Sequence, residues 1–164
     1  MQQRRSPNIW SLIALGALCS GAGAGHACWE EAASRYQVSS TLLYAIARTE
    51  SALNPRAVGH SSNGTRDIGL MQINSAWLPT LSTFGIGERD LFDPCVSIHV
   101  GAWILAGNIR RLGYTWDAVG AYNTPIPALA RSYIDKVRRH LPAKHISPNP
   151  GPRGTPAKIG RAHV

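Results

Sequence analysis

The stretch Ser39-Ser40-Thr41-Leu42-Leu43-Tyr44-Ala45-Ile46-Ala47-Arg48-Thr49-Glu50-Ser51 reads as one helix with a buried face. Either Ser39 or Ser40 can cap it, because a serine hydroxyl accepts from an unpaired N–H of the first turn. Leu42, Leu43, Ile46 and Ala47 recur at spacings of three and four, which places them on one apolar stripe. Glu50 lies three residues after Ala47 and four after Ile46, so a carboxylate sits at the end of that stripe, in the last turn. There the helix dipole disfavours negative charge. Burial and dipole both raise a carboxyl pKa, which is what a general acid working near neutral pH needs. This helix alone leaves another reading open, with Glu50 facing solvent or paired with Arg48 or Arg56.

Outward from it, Asn54-Pro55 stops the helix, and a polar glycine-containing loop runs from Gly59 to Thr65. Then comes Asp67-Ile68-Gly69-Leu70-Met71-Gln72-Ile73-Asn74-Ser75-Ala76-Trp77. No stretch alternates convincingly with period two, so residues 28–142 read as helices and loops. Trp29 to Tyr36 is a short helix. Asp93 can cap another with Pro94 at its first position, and Ile98, Ala102, Leu105 and Ile109 share its stripe up to Gly113. Thr115 caps a further short helix that turns Trp116, Val119 and Ala121-Tyr122 partly inward and ends at Asn123. Trp103 reads as core, Met71 as either core or site lining, His60 as surface and His99 as interior filler.

The chain has 164 residues, 44% of them hydrophobic, and a net charge of +8. That suits one folded domain and excludes a disordered chain. The charge admits nucleic acid, a membrane surface or an acidic polymer as partner. Its distribution narrows the choice. Residues 28–142 hold eleven Lys/Arg and all nine Asp/Glu, while residues 143–164 hold four Lys/Arg and no acid among repeated prolines and glycines. The end segment reads as a flexible basic tail. No nucleic-acid-binding motif accompanies it, so no nucleic-acid partner is expected.

At the other end, Arg4-Arg5 precede the apolar run Ile9 to Leu18 and the small residues Ser20 to Gly25. Residues 1–27 read as a secretory signal peptide, cleaved to leave Gly25 or Cys28 first, with an uncleaved anchor as the alternative. Export to the periplasm follows, with no stable transmembrane span in the mature form. Cleavage removes Cys19 and leaves Cys28 and Cys95 in an oxidising compartment, where a disulfide is the default and two free thiols the alternative. Such a bridge would stabilise by roughly 4 kcal/mol in the chain-entropy model. No metal site and no cofactor are expected.

Glu50-Ser51 with Asn54-Pro55, then Gly69-Leu70-Met71-Gln72-Ile73, then Ala121-Tyr122-Asn123 stand in an order and spacing that resembles the soluble lytic transglycosylase domain. The resemblance covers about residues 28–141. It is nearest to the short members that accompany secretion, conjugation and pilus machines, which tend to carry a signal peptide, an early cysteine and a segment like Asp93-Pro94-Cys95. It implies a mainly α, lysozyme-like fold of the goose-type lysozyme and lytic transglycosylase kind, with little or no sheet. It also implies cleavage of the β-1,4 bond between N-acetylmuramic acid and N-acetylglucosamine in peptidoglycan, with envelope-spanning secretion, conjugation or pilus components as possible partners. Carried onto this sequence, the resemblance places the catalytic acid at Glu50, with Met71 and Gln72 in the groove beside it. Tyr122 and Asn123 match the next motif, and Tyr133 matches a tyrosine that lines the site opposite the glutamate. The chain departs after Asn123, where Thr124-Pro125 stands in place of the usual Ala-Gly.

Breaking a glycosidic bond requires a proton on the leaving oxygen, and a protonated Glu50 supplies it. In the transglycosylase route the same carboxylate then takes the proton of the sugar's own C6 hydroxyl, closing a 1,6-anhydro ring without a second enzymic carboxylate. Asp67, 17 residues after Glu50, opens a string that also resembles the second catalytic segment of animal-type lysozymes. Hydrolysis using Asp67 is therefore an alternative, although a hydrogen-bonding role that shapes the groove is the favoured reading of this residue. A catalytically silent wall-binding or assembly protein is the third possibility.

Overall fold

The computed structural model describes residues 24–61 and 63–143. Most of the expected signal peptide and nearly all of the expected tail lie outside the described residues. Among the described residues, six helices and a small sheet follow one another: α1 (Ala24–Tyr36), α2 (Ser40–Ser51), β1 (Val58–His60), β2 (Arg66–Ile68), β3 (Ile73–Asn74), α3 (Leu78–Ser82), α4 (Pro94–Leu112), α5 (Trp116–Asn123) and α6 (Pro127–Arg139). Short 3₁₀ turns occupy Ser75–Trp77 and Glu88–Phe92. The expected helix at Trp29 begins five residues earlier, at Ala24, where Ala24 and Ala27 favour a helix and no proline interrupts it.

Helix α2 forms as its pattern demands. Ser39 is the cap, its hydroxyl accepting from the Leu42 N–H at 3.3 Å. Leu42, Leu43, Ile46 and Ala47 are all buried, and full burial of Leu43 or Ile46 contributes about 1.5–3 kcal/mol each. Ala52 and Leu53 end the helix at φ 52° and 68°, left-handed backbone that a side chain resists, just after Glu50.

The long helix α4 is the spine. Asp93 caps it by accepting from the Val96 N–H at 3.0 Å, with Pro94 at its first position. Helices α1 and α5 both pack against it, and α6 packs against α5 and α2. A disulfide between Cys28 and Cys95, with Cα atoms 5.4 Å apart, ties α1 to the first turn of α4. On α6, Ala130, Tyr133, Ile134 and Val137 form one buried stripe. The crossing of α5 and α6 is close because residue 120 is glycine: a Cβ there would lie 2.8 Å from the Ala130 Cβ.

The region read as a plain loop is instead a three-stranded antiparallel sheet, in which Gly59 pairs with Asp67 and Asp67 with Asn74. Its strands are two and three residues long, too short to show period-two alternation. The fold remains mainly helical.

Candidate active site

Glu50 sits in a cleft of about 350 Å³ between the helices and the sheet, and Asp67, Gln72, Tyr122 and Asn123 line the same cleft. Tyr133 reaches it from α6, its hydroxyl donating to Glu50 Oε1 at 2.6 Å across 83 residues of sequence. The Glu50 pKa is raised from 4.5 to about 7, chiefly by burial, with the Asp67 charge adding to the rise. The Tyr133 hydrogen bond and the Lys136 ammonium act in the opposite direction, since each stabilises the charged carboxylate. Burial and the neighbouring Glu50 also push the Tyr122 and Tyr133 hydroxyls well above the ordinary tyrosine range, so both act as neutral hydrogen-bond donors.

Asp67 is held quite differently. Asn74 donates to its Oδ1 at 2.8 Å and Ser61 to its Oδ2 at 3.0 Å. Asn74 also donates to the Thr65 hydroxyl at 2.8 Å, so the hairpin braces both residues. These contacts hold its carboxylate within the hairpin, and its charge also acts on Glu50.

The Gly69–Gln72 segment is clamped into a turn that fits between α2 and α4. The Ser51 hydroxyl donates to the Leu70 carbonyl at 2.7 Å, and the Ser97 hydroxyl accepts from the Met71 N–H at 3.1 Å. Tyr122 donates to the Met71 carbonyl at 3.0 Å, while the Gln72 amide donates to the carbonyls of Gly69 and Ala57. Gln72 itself takes φ 47°, a left-handed conformation costing about 1–3 kcal/mol for a non-glycine residue and tolerated only where its surroundings enforce it.

One expected groove residue is corrected by this arrangement. Met71 does not line the cleft with its side chain, which is fully buried. The space comes from Gly101 on α4, where a Cβ would fall 2.7 Å from Met71 Cε and 2.9 Å from the Tyr122 hydroxyl. Met71 serves the site through its main chain. The Thr124-Pro125 departure makes a short link: Thr124 ends α5, its hydroxyl accepts from the Ile126 N–H at 3.2 Å, and α6 begins at Pro127.

Sequence reasoning missed Ser61, Asn74, Ser97, Gly101 and Gly120. The seven-residue interval from Asp67 to Asn74 was a usable signal for a cross-strand pair once a hairpin was suspected. Ser97 and the two glycines carry no local signal, because their partners lie on other elements.

Comparison with known proteins agrees with this geometry. The chain is 50% identical over 97 residues to the invasion protein IagB of Salmonella typhimurium, covering 58% of this chain and 61% of that one. It is 43% identical over 97 residues to the protein IpgF of Shigella flexneri, covering 58% and 64%. Each match therefore spans less than two thirds of the relative's length. Among solved structures, an inactive mutant of the lytic transglycosylase Slt from Pseudomonas aeruginosa superposes with a TM-score of 0.54 at 26% identity, covering 73% of this chain and 21% of that one. The model of the transglycosylase SLT domain matches residues 27–140, and this chain belongs to that family.

Proposed function

We propose that this protein is a peptidoglycan lytic transglycosylase that cleaves the β-1,4 bond between N-acetylmuramic acid and N-acetylglucosamine and leaves 1,6-anhydro ends. One observation carries the reading. In a cleft shaped by the family's own motifs, Glu50 has a pKa of about 7 and a tyrosine hydroxyl on one of its oxygens. A carboxyl so placed is protonated often enough to donate to the glycosidic oxygen, and ionised often enough to accept the C6 hydroxyl proton in the next step. General acid catalysis of this kind contributes roughly 10²–10⁴-fold. Tyr133 fixes one carboxyl oxygen and leaves the other for the leaving group. Gln72, Tyr122 and Asn123 form walls against which the sugar ring rests.

The protein acts after export, in the periplasm, where the Cys28–Cys95 disulfide is stable. There it opens the wall locally for an envelope-spanning apparatus. The likeness to an invasion protein supports that setting, and the basic segment after residue 142 suits a matrix whose peptide stems bear carboxylates.

A second reading has an observation of its own. Asp67 shares the cleft with Glu50 and is oriented by two hydrogen bonds, as a second catalytic carboxylate of a lysozyme-type hydrolase would be. Mass spectrometry of muropeptides released from purified peptidoglycan separates the two. Products lighter by one water, with anhydro ends, are expected. Reducing ends would establish hydrolysis, and an absence of products would leave a wall-binding protein.

A further inference from the structure

A second cavity, of about 700 Å³, opens on the neighbouring face of α4. Successive helix residues are about 100° apart, and this step divides the two sites: Ile104 faces the Glu50 cleft, whereas Val96, Val100 and Trp103 face the second cavity. The wall between them is aromatic. Trp77 lines the Glu50 cleft and meets Trp103 edge to face, with ring centroids 5.3 Å apart. Beyond Trp103 stands Phe84, 6.5 Å from it and 68% exposed, a large apolar side chain that the core does not need. Glu31, Arg35, Asp90 and His99 stand around the same cavity. None of them has a part in the chemistry at Glu50.

We propose that this cavity is a remote subsite for the glycan strand, occupied by N-acetylated sugars that run past Trp77 from the cleavage site. The proposal rests on the reading of the Glu50 cleft as the site of glycan cleavage. A pyranose ring offers C–H faces that lie on aromatic rings, and Phe84 with Trp103 provides such faces. Its hydroxyls pair with carboxylates and guanidinium groups, which Glu31, Asp90 and Arg35 supply at the edge. Its acetamido methyl groups need apolar surface, and the aliphatic floor provides it. Apolar lining with a few placed polar groups is the usual make-up of a small-ligand site. The Trp77–Trp103 contact sets the two cavities side by side, which favours the polymer already in the cleft over an unrelated ligand. Two linked contacts on one strand also raise avidity for long strands alone.

The test compares ligands of two lengths on the full chain carrying Glu50→Gln, which prevents cleavage. Binding of a peptide-free tetrasaccharide and of a long peptide-free glycan strand is measured by calorimetry, before and after Phe84→Ala and Arg35→Ala, both at exposed positions. The long strand is expected to bind about tenfold more tightly than the tetrasaccharide, and each substitution to weaken it by about fivefold while changing the tetrasaccharide by less than about twofold. Equal affinity for the two lengths, or equal losses on both, would overturn the proposal and leave the Glu50 cleft intact as a glycan site. In a third titration, with a long strand that carries its peptide stems, losses confined to that ligand would assign the cavity to peptide and overturn the glycan assignment. Binding of neither ligand would overturn the reading of the Glu50 cleft along with this one.

Discussion

Two carboxylates face one cleft from opposite surroundings. Glu50 ends the apolar stripe of α2, where burial lifts its pKa to about 7. Asp67 sits mid-hairpin, where Asn74 and Ser61 each give it a hydrogen bond. Desolvation keeps a proton on Glu50, whereas the Asp67 carboxylate is tied into the hairpin by its two donors. The charge of Asp67 also raises Glu50 further, so the sheet tunes the helix.

The hardest test of that division is Glu50→Gln, expected to lower wall-lytic activity by about 10²–10⁴-fold with the far-ultraviolet circular dichroism unchanged. An active, folded variant would refute the assignment. The same substitution reports on stability. Glu50 titrates at about 7 in the folded chain against an ordinary value of 4.5, so the folded state binds more protons in that window, and wild-type stability falls as pH rises through it. Denaturant titration should therefore show Glu50→Gln more stable than wild type by about 3 kcal/mol above pH 7, with the gap closing near pH 4.

Next in size is Gly120→Ala. Forcing a methyl into the α5–α6 crossing is expected to lower stability by about 1–3 kcal/mol in chemical unfolding and to loosen Tyr133 from Glu50. Asp67→Asn sharpens the comparison most. If Asp67 shapes the groove, activity drops less than about tenfold, and the alkaline limb of the pH–activity profile moves to lower pH, because a neighbouring negative charge has been removed. A loss as large as that of Glu50→Gln would transfer catalysis to the pair and favour hydrolysis. The smallest loss of activity is expected from Tyr133→Phe. Removing the donor destabilises the Glu50 carboxylate, so the alkaline limb moves to higher pH, and by more than Asp67→Asn moves it down, while the chain stays folded.

The helical half of this comparison was legible in the sequence and the sheet half was not. Leu42, Leu43, Ile46 and Ala47 repeat over enough residues for a 3.6-residue period to show, and Ser39, Asp93 and Thr115 cap their helices through contacts within three residues. Glu50 could be placed for the same reason. The hairpin strands are too short for any period, so the Asp67–Asn74 pairing stayed hidden inside a motif that was itself visible. Met71 could be read as groove from its motif or as core from its type, and its side chain is in the core against Gly101. Ser97 acts on Met71 across 26 residues and Tyr122 acts on it across 51, and no local pattern encodes contacts at that range.

Acid catalysis by this protein requires that Glu50 hold its proton close to neutral pH. Carbon-detected NMR of the glutamate carboxyl groups against pH, with Glu50→Gln to assign the resonance, tests it directly. A Glu50 midpoint near 7 is expected, against the ordinary value of 4.5. A midpoint in the ordinary range would mean that Glu50 is solvated and ionised at neutral pH, and would contradict its role as the acid.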